Sequence, residues 1–358
     1  MKHSAFTVKF FKKKTVEMAN RSIIDLFVIS TPFQLICATE ARAYFKSSDY
    51  RLVVSRPDNK TTHQEIVKLL PLLGWENHKT TILGKPLFYP MLPAAINQIK
   101  GQEVNNLFYG NQGNWTHEVF RRAIKHNKSI LVDDGLATVS HYHYLHATEV
   151  WKSEITQRRA LTLKLLGIKL DSEKNNLPTG IFTIFPLPST EKIPVYRNTL
   201  RVIQKNFTIE TKEIETRSFV GFIGQPAKNG MEVKDFKASL QALAAQYPGS
   251  KIIYFLHRKE VLQEVKKAYE GLNIKFHRSK LPLELEIAQM NQKFIAIASL
   301  CSTALYTLKM LYKEVDIIQT QGAGGEKKIP FYDKVSDILS QAGVIPLSCP
   351  QDSNNIEG

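Results

Sequence analysis

Residues 26–45 read LFVISTPFQLICATEARAYF, and this stretch decides the fold. Leu26 to Ile29 is a short unbroken apolar run, the pattern of a strand buried on both faces. Ser30-Thr31 interrupts it, and Pro32 then stands where a helix tolerates proline, in its first turn. Apolar residues recur at helical spacing from Phe33 to Phe45. A buried strand passing through a short polar turn into a helix is half of a βαβ unit.

The same alternation continues outward. Strands are expected at 51–55, 80–83, 106–109 and 129–132, with helices at 61–73, 91–99 and 116–126 and a long helical region over 138–166. Pro186, Pro188 and Pro194 then break the rhythm, so 186–216 reads as a linker or crossover. Strands resume at 219–223, 251–256, 274–276, 294–298 and 315–319, with helices at 236–246, 259–269, 283–290 and 303–312. A last helix, 332–342, is expected to pack back across the domain junction. The expected fold is α/β: two Rossmann-like domains, 23–185 and 217–358, whose parallel sheets face one cleft. A basic arm, 1–22, precedes them.

Composition agrees with this reading. At roughly 150 residues per domain, 358 residues make about two domains. With 43% apolar and 23% charged residues, wholesale disorder, collagen and coiled coil are excluded. Cys37, Cys301 and Cys349 are too few and too scattered for a disulfide framework or a zinc site, which points to a reducing, cytoplasmic setting. The formal charge of +15 calls for anionic partners without choosing among them. Lys2, Lys9, Lys12, Lys13, Lys14 and Arg21 face a single acid, Glu17, in the arm. With Phe6, Phe10 and Phe11 among them, these residues suit peripheral contact with an anionic leaflet; a solvated terminus accounts for them equally well. No signal-peptide core follows the lysines, and 23–38, the most apolar stretch, is too short to span a bilayer. No nucleic-acid motif or aromatic–basic stripe is present.

Open parallel sheets bind ligands beyond the carboxyl ends of their strands. Those ends carry Ser30-Thr31-Pro32-Phe33-Gln34, Gly110-Asn111-Gln112-Gly113-Asn114 and Asp133-Asp134-Gly135 in the first half. The second half has Gly224-Gln225-Pro226, His257-Arg258 and Ser299-Leu300-Cys301-Ser302-Thr303. Amides, hydroxyls, carboxylates and an imidazole suit a polar, phosphate-bearing ligand and acid–base work. Simpler readings stand beside these: Asp133-Asp134-Gly135 as a capping turn, Ser299 to Thr303 as an ordinary helix cap, His257 as a satisfied buried histidine, and Glu284 as a complement to a helix dipole. Adjacent carboxylates on an extended segment point to opposite faces, which disfavours a metal. One can face the cleft as a general base while the other braces the loop. Of His141, His143 and His146 only the last two are neighbours on a helix, without a partner carboxylate. Gly322-Ala323-Gly324-Gly325 opens no helix and reads as a loop. The chain contains no Gly-x-x-x-x-Gly-Lys-Ser/Thr.

Taken together and in order, these motifs resemble the bacterial GT-B sialyltransferases, namely the lipooligosaccharide sialyltransferases of glycosyltransferase family 52 and the capsular polysialyltransferases. The resemblance covers most of 26–320. It implies an inverting, metal-independent transferase without a bound cofactor, which moves a nonulosonic acid from a CMP donor to a capsule or lipopolysaccharide acceptor. By that resemblance Asp133 is the general base, with Asp134 and Gly135 supporting the loop. His257 stabilises the leaving CMP phosphate, which Ser299, Ser302 and Thr303 hold at a helix start. Glu284 meets the ribose, Gly224 and Gln225 the nucleotide, and Gln34 and Asn111 the donor sugar or acceptor. One departure stands out: the family's His-Pro is His257-Arg258 here. Arginine adds charge and five donors where proline fixes the backbone, so the donor extends to pseudaminic, legionaminic or Kdo-like acids. The rival class is a non-catalytic two-lobed nucleotide- or glycan-binding or regulatory protein.

Overall fold

The computed structural model describes residues 22–55, 60–148, 150–171, 177–207, 218–226, 232–290, 292–321 and 332–349. Apart from residue 22, the basic arm lies outside them, as does the glycine-rich 322–325 segment. The chain divides into two compact units. One runs to Thr183 and includes Leu187–Tyr196; the other comprises Ile184–Pro186 and the chain from Arg197 onward.

In the first unit the strands are β1 (Ile23–Ile29), β2 (Tyr50–Ser55), β3 (Thr80–Leu83), β4 (Glu103–Tyr109), β5 (His126–Val132), β6 (Gly180–Thr183) and β7 (Val195–Arg197). They lie in the order β3-β2-β1-β4-β5-β6-β7, and every pairing from β3 to β6 is parallel. The helices are α1 (Pro32–Tyr44), α2 (Lys60–Leu72), α3 (Phe88–Lys100), α4 (Trp115–Ala123), α5 (Leu136–Thr148) and α6 (Gln157–Leu165). Because side chains alternate along a strand, Ile24, Leu26 and Val28 enter a core with Phe88, Leu92 and Ile96 of α3 and Val119 and Phe120 of α4. Phe27 points to the opposite face, stacking on Phe108 of β4 at 4.5 Å and meeting Trp75 edge-on at 5.3 Å. Both faces of β1 are therefore covered, which explains its lack of polar alternation.

The second unit holds α7 (Arg201–Asn206), β8 (Ser218–Ile223), α8 (Val233–Gln246), β9 (Lys251–Phe255), α9 (Leu262–Ala268), β10 (Ile274–His277), α10 (Leu283–Gln289), β11 (Lys293–Ser299), α11 (Thr303–Leu311), β12 (Asp316–Gln321), α12 (Tyr332–Gln341) and β13 (Ile345–Ser348). The order is β10-β9-β8-β11-β12-β13, parallel throughout. Val220, Phe222, Tyr254, Ala296 and Ala298 form its core with Phe236 and Leu240 of α8.

Both sheets reverse direction of growth at the same place, β1/β4 and β8/β11, and both carry an extra residue there. β4 slips between the pairs Ile24–Val104 and Leu26–Leu107, and β11 between Phe294–Phe219 and Ala296–Val220. In the first unit the buried Asp25 fills the gap. Its carboxylate accepts the Asn106 backbone N–H at 3.0 Å, the Asn106 side-chain amide at 2.9 Å and the Ser47 hydroxyl.

Three expectations change. The helical region 138–166 is two helices, because the buried Glu118 carboxylate takes the Ser153 hydroxyl at 2.6 Å and the Glu154 N–H at 2.8 Å. Those bonds hold the chain out of helix until Thr156 caps α6. The proline-rich stretch expected as a linker or crossover carries β7 and α7, which were not expected within it, nor was β6 just before it. The last helix lies against its own sheet: Ser336 donates to Gln319 of β12 at 3.2 Å, and the chain then adds β13 beside β12.

Replacing Asp25 by alanine leaves two buried amide donors of Asn106 without an acceptor, a loss of about 2 kcal/mol. For a domain of this size that lowers the thermal midpoint by roughly 4–8 °C. Calorimetry on Asp25→Ala checks it, with Asp25→Asn expected to recover part of the loss.

Candidate functional site

At the β1/β4 switch point the first unit has a cavity of about 400 Å³, lined by Ser30, Thr31, Gln34, Lys85, Asn111, Gly113, Asn114, Trp115, Thr116 and Asp134. Its walls are the starts of two helices. Thr31 caps α1 by accepting the Gln34 N–H at 3.2 Å, and Asn114 caps α4 by accepting the Thr116 N–H at 2.9 Å. At its floor Gln34 accepts the Ser30 N–H at 2.7 Å and donates to Asp134 Oδ1 at 2.7 Å. Asn111 donates to Asp134 Oδ2. Two amides thus orient one carboxylate. The Gln34 side chain crosses the end of β4 where residue 110 is glycine; a Cβ there would stand 2.3 Å from Gln34 Cδ.

The two aspartates exchange their expected places. Asp133 is 0% exposed and accepts the Thr183 hydroxyl at 2.6 Å. It braces β5 against β6, and its carboxylate is not part of the cavity wall. Asp134, expected only to support the loop, faces the cavity. The opposite-faces rule for an extended segment held; which residue faced inward was decided by where β6 lies. Gly135 turns the chain at φ +68°, a conformation that favours glycine, and the Thr138 hydroxyl then accepts the Asp134 N–H at 2.9 Å.

His117 was not foreseen. It is fully buried on α4, where Nδ1 accepts the Asn111 N–H at 3.1 Å. A neutral imidazole then carries its proton on Nε2, 2.8 Å from Ser30 Oγ, and the Ser30 hydroxyl donates onward to the Ser55 carbonyl at 2.5 Å. Burial, with Arg121 adding to it, pushes His117 down to about 3. The serine proton points away from the imidazole, so this pair is a brace for Ser30 and Asn111 and not a nucleophile with its base.

The second unit repeats the pattern at β8/β11. Gln225 accepts the Cys301 N–H at 3.2 Å and donates to the Cys301 carbonyl. The Ser299 hydroxyl donates to the Ile223 carbonyl at 3.0 Å, and Ser302 caps α11 through the Ala304 N–H at 3.2 Å. Gln225, Ser299, Ser302 and Thr303 are therefore brought together. Glu284 is placed otherwise: Thr307 of α11 donates to its carboxylate at 2.7 Å, so it ties α10 to α11, and burial raises its pKa. Gly224 also has a packing reason, since a Cβ there would lie 2.5 Å from the Glu260 carboxylate and 2.6 Å from the Tyr254 hydroxyl. Glu260, with no signal in the sequence, accepts that hydroxyl at 2.9 Å and the His257 N–H at 2.7 Å. His257 Nδ1 accepts the Lys259 N–H at 3.2 Å, leaving its proton on Nε2. Desolvation, with help from Arg258 and Lys259, lowers His257 to about 4, so at neutral pH it is an uncharged donor. Among the described residues no group of three or more His, Cys, Asp or Glu side chains is arranged to hold a metal ion. His141 instead meets Trp151 edge-on at 4.9 Å, and His146 lies 4.2 Å from the Tyr142 ring.

No protein-family model matches the chain, and no curated protein sequence matches it. Solved structures do. UDP-GlcNAc 2-epimerase from Neisseria meningitidis, bound to UDP-GlcNAc, is 13% identical with a TM-score of 0.53, over 89% of this chain and 90% of that one. S. aureus MnaA with UDP is 11% identical with a TM-score of 0.51, over 84% and 79%. An alpha/beta-galactoside alpha-2,3-sialyltransferase from Photobacterium phosphoreum is 14% identical with a TM-score of 0.49, over 91% and 99%. The fold is GT-B. At identities this low the first two likenesses show that and nothing further.

His117 also makes stability depend on pH. The unfolded chain takes up this proton near the ordinary value of 6.5, the folded chain only near 3. Within that window the unfolded state binds more protons, so the first unit loses about 1.4 kcal/mol per pH unit as pH falls. Thermal midpoints of wild type and His117→Gln between pH 7 and pH 4 check this. The acid limb is expected to flatten in the variant, leaving the shares from His141 and His257, each of which burial lowers to about 4.

Proposed function

We propose that the chain is an inverting glycosyltransferase that moves a nonulosonic acid from a CMP donor to a hydroxyl of a capsule or lipopolysaccharide glycan, with Asp134 as the general base. The observation that carries this reading is the Asp134 carboxylate held by Gln34 and Asn111 in a polar cavity at a strand-switch point. Support also comes from the order of strand-end motifs, and from the nucleotide-bearing ligands of two proteins that share the fold.

The chemistry follows from these groups. As the acceptor oxygen attacks the anomeric carbon, its proton passes to Asp134 and the bond to the CMP phosphate breaks, so one displacement inverts the centre. Negative charge grows on the leaving phosphate. On this reading an uncharged His257 with its proton on Nε2, and the start of α11 with Ser302 and Thr303, stabilise that charge as hydrogen-bond donors. Asp133 acts through β6, holding the segment that presents Asp134. The reading takes no metal and no bound cofactor, and its partners are a CMP-sugar and a glycan, not nucleic acid. A cytoplasmic setting with peripheral attachment belongs to the same proposal; no helix among the described residues is long and apolar enough to cross a membrane.

CMP release, measured with a panel of CMP-nonulosonates and glycan acceptors in the presence of EDTA, is the test. Asp134→Asn is expected to lower kcat about 10²–10⁴-fold with donor KM little changed. Turnover near that of the wild type in Asp134→Asn, or dependence on a divalent metal, defeats the assignment. Thermal stabilisation by CMP above UDP and GDP is expected; stabilisation without turnover of any donor favours the binding-protein reading.

A further inference from the structure

Helix α6 is anchored firmly yet presents apolar side chains to solvent. Leu163 is fully buried, Arg159 lies 4.6 Å over the Trp115 ring and donates to the Glu154 carbonyl at 3.0 Å, and Leu166 packs on the core. On the opposite side Leu161 and Leu165, four residues apart and hence on one face, are 60% and 80% exposed. Val150, on the segment leading to the helix, is 61% exposed. Arg158 and Lys164 flank the two leucines on either side and are exposed, as are Lys152 and Lys169 nearby. The helix contains no acid; the nearest are Glu154, half-buried before it, and Asp171 after it.

A well-seated helix has no packing reason to turn two leucines outward. Their basic flanks select an anionic partner, and the leucines select one with an apolar interior. A phosphate backbone uses the first and has no use for the second. We propose that the outer face of α6 is a membrane-contact surface, on which Leu161 and Leu165 enter the acyl boundary of an anionic bilayer while Arg158 and Lys164 lie among its phosphates. This contact is separate from the basic arm and does not depend on the proposed reaction.

Cosedimentation of the full chain tests it, using vesicles of equal parts phosphatidylglycerol and phosphatidylethanolamine, with phosphatidylcholine vesicles and duplex DNA as comparisons. The protein is expected to bind the anionic vesicles. Leu161→Ser with Leu165→Ser lowers the partition at least about tenfold. Arg158→Gln with Lys164→Gln lowers it about thirtyfold, with little change on phosphatidylcholine. All four side chains lie in solvent, so thermal midpoints stay at the wild-type value. Each variant retains the basic arm, so a loss belongs to α6. Absence of binding to anionic vesicles overturns the proposal. So does binding that neither double variant weakens, or loss of DNA binding in these variants while vesicle binding is intact.

Discussion

Where a parallel sheet reverses its order of growth, two neighbouring strands send their chains to opposite faces, and the main-chain groups beyond the last ladder bond lose their partners. The rest of this structure depends on how those groups are satisfied. Each sheet uses a glutamine. Gln34 takes the Ser30 N–H, and Gln225 takes both the N–H and the carbonyl of Cys301. A glutamine that has closed the backbone still has bonding capacity. Gln34 turns it toward Asp134, while Gln225 uses both ends on the loop that starts α11. The bulges in β4 and β11 lie on the same two strand pairs but at their opposite, amino ends, so the ladders beside the glutamines are regular.

Burial then sorts the ionisable groups by task. Asp133 and Asp134 are adjacent, yet one is sealed against Thr183 and the other is presented to a cavity. His117 and His257 are both kept uncharged by desolvation, reinforced in each case by neighbouring cations. Their remaining difference is one of use. The Nε2 proton of His117 is spent inside the protein on Ser30, whereas that of His257, half-buried at the end of β9, suits an incoming anion. A neutral donor is available at any ordinary pH, and on the proposed reading that is what a departing phosphate requires.

Much of the fold was legible because buried strands write themselves as short apolar runs. β1, β2, β8, β9 and β11 are such runs, each followed by a helical pattern, with a readable start at Pro32 after β1 and at Ser302-Thr303 after β11. β6, β7 and β13 were not legible. Gly180–Thr183 and Val195–Arg197 lie among prolines, and Ile345–Ser348 is a short, largely exposed edge strand with a proline inside it. The break between α5 and α6 was hidden for another reason: the carboxylate that enforces it, Glu118, is some 35 residues upstream.

The sequence by itself determined most of the elements, the parallel class and the set of polar residues beyond the strand ends, since these follow from local periodicity and chain connectivity. Tertiary structure alone decided what each of those residues faces. Asp133 went inward because β6 brings Thr183 to it, Gly224 serves Tyr254 and Glu260, Glu284 binds Thr307, and His117 joined the site from the side of α4. Every one of these partners lies on a different element, and long-range pairing of side chains leaves no periodic trace in the chain that carries them.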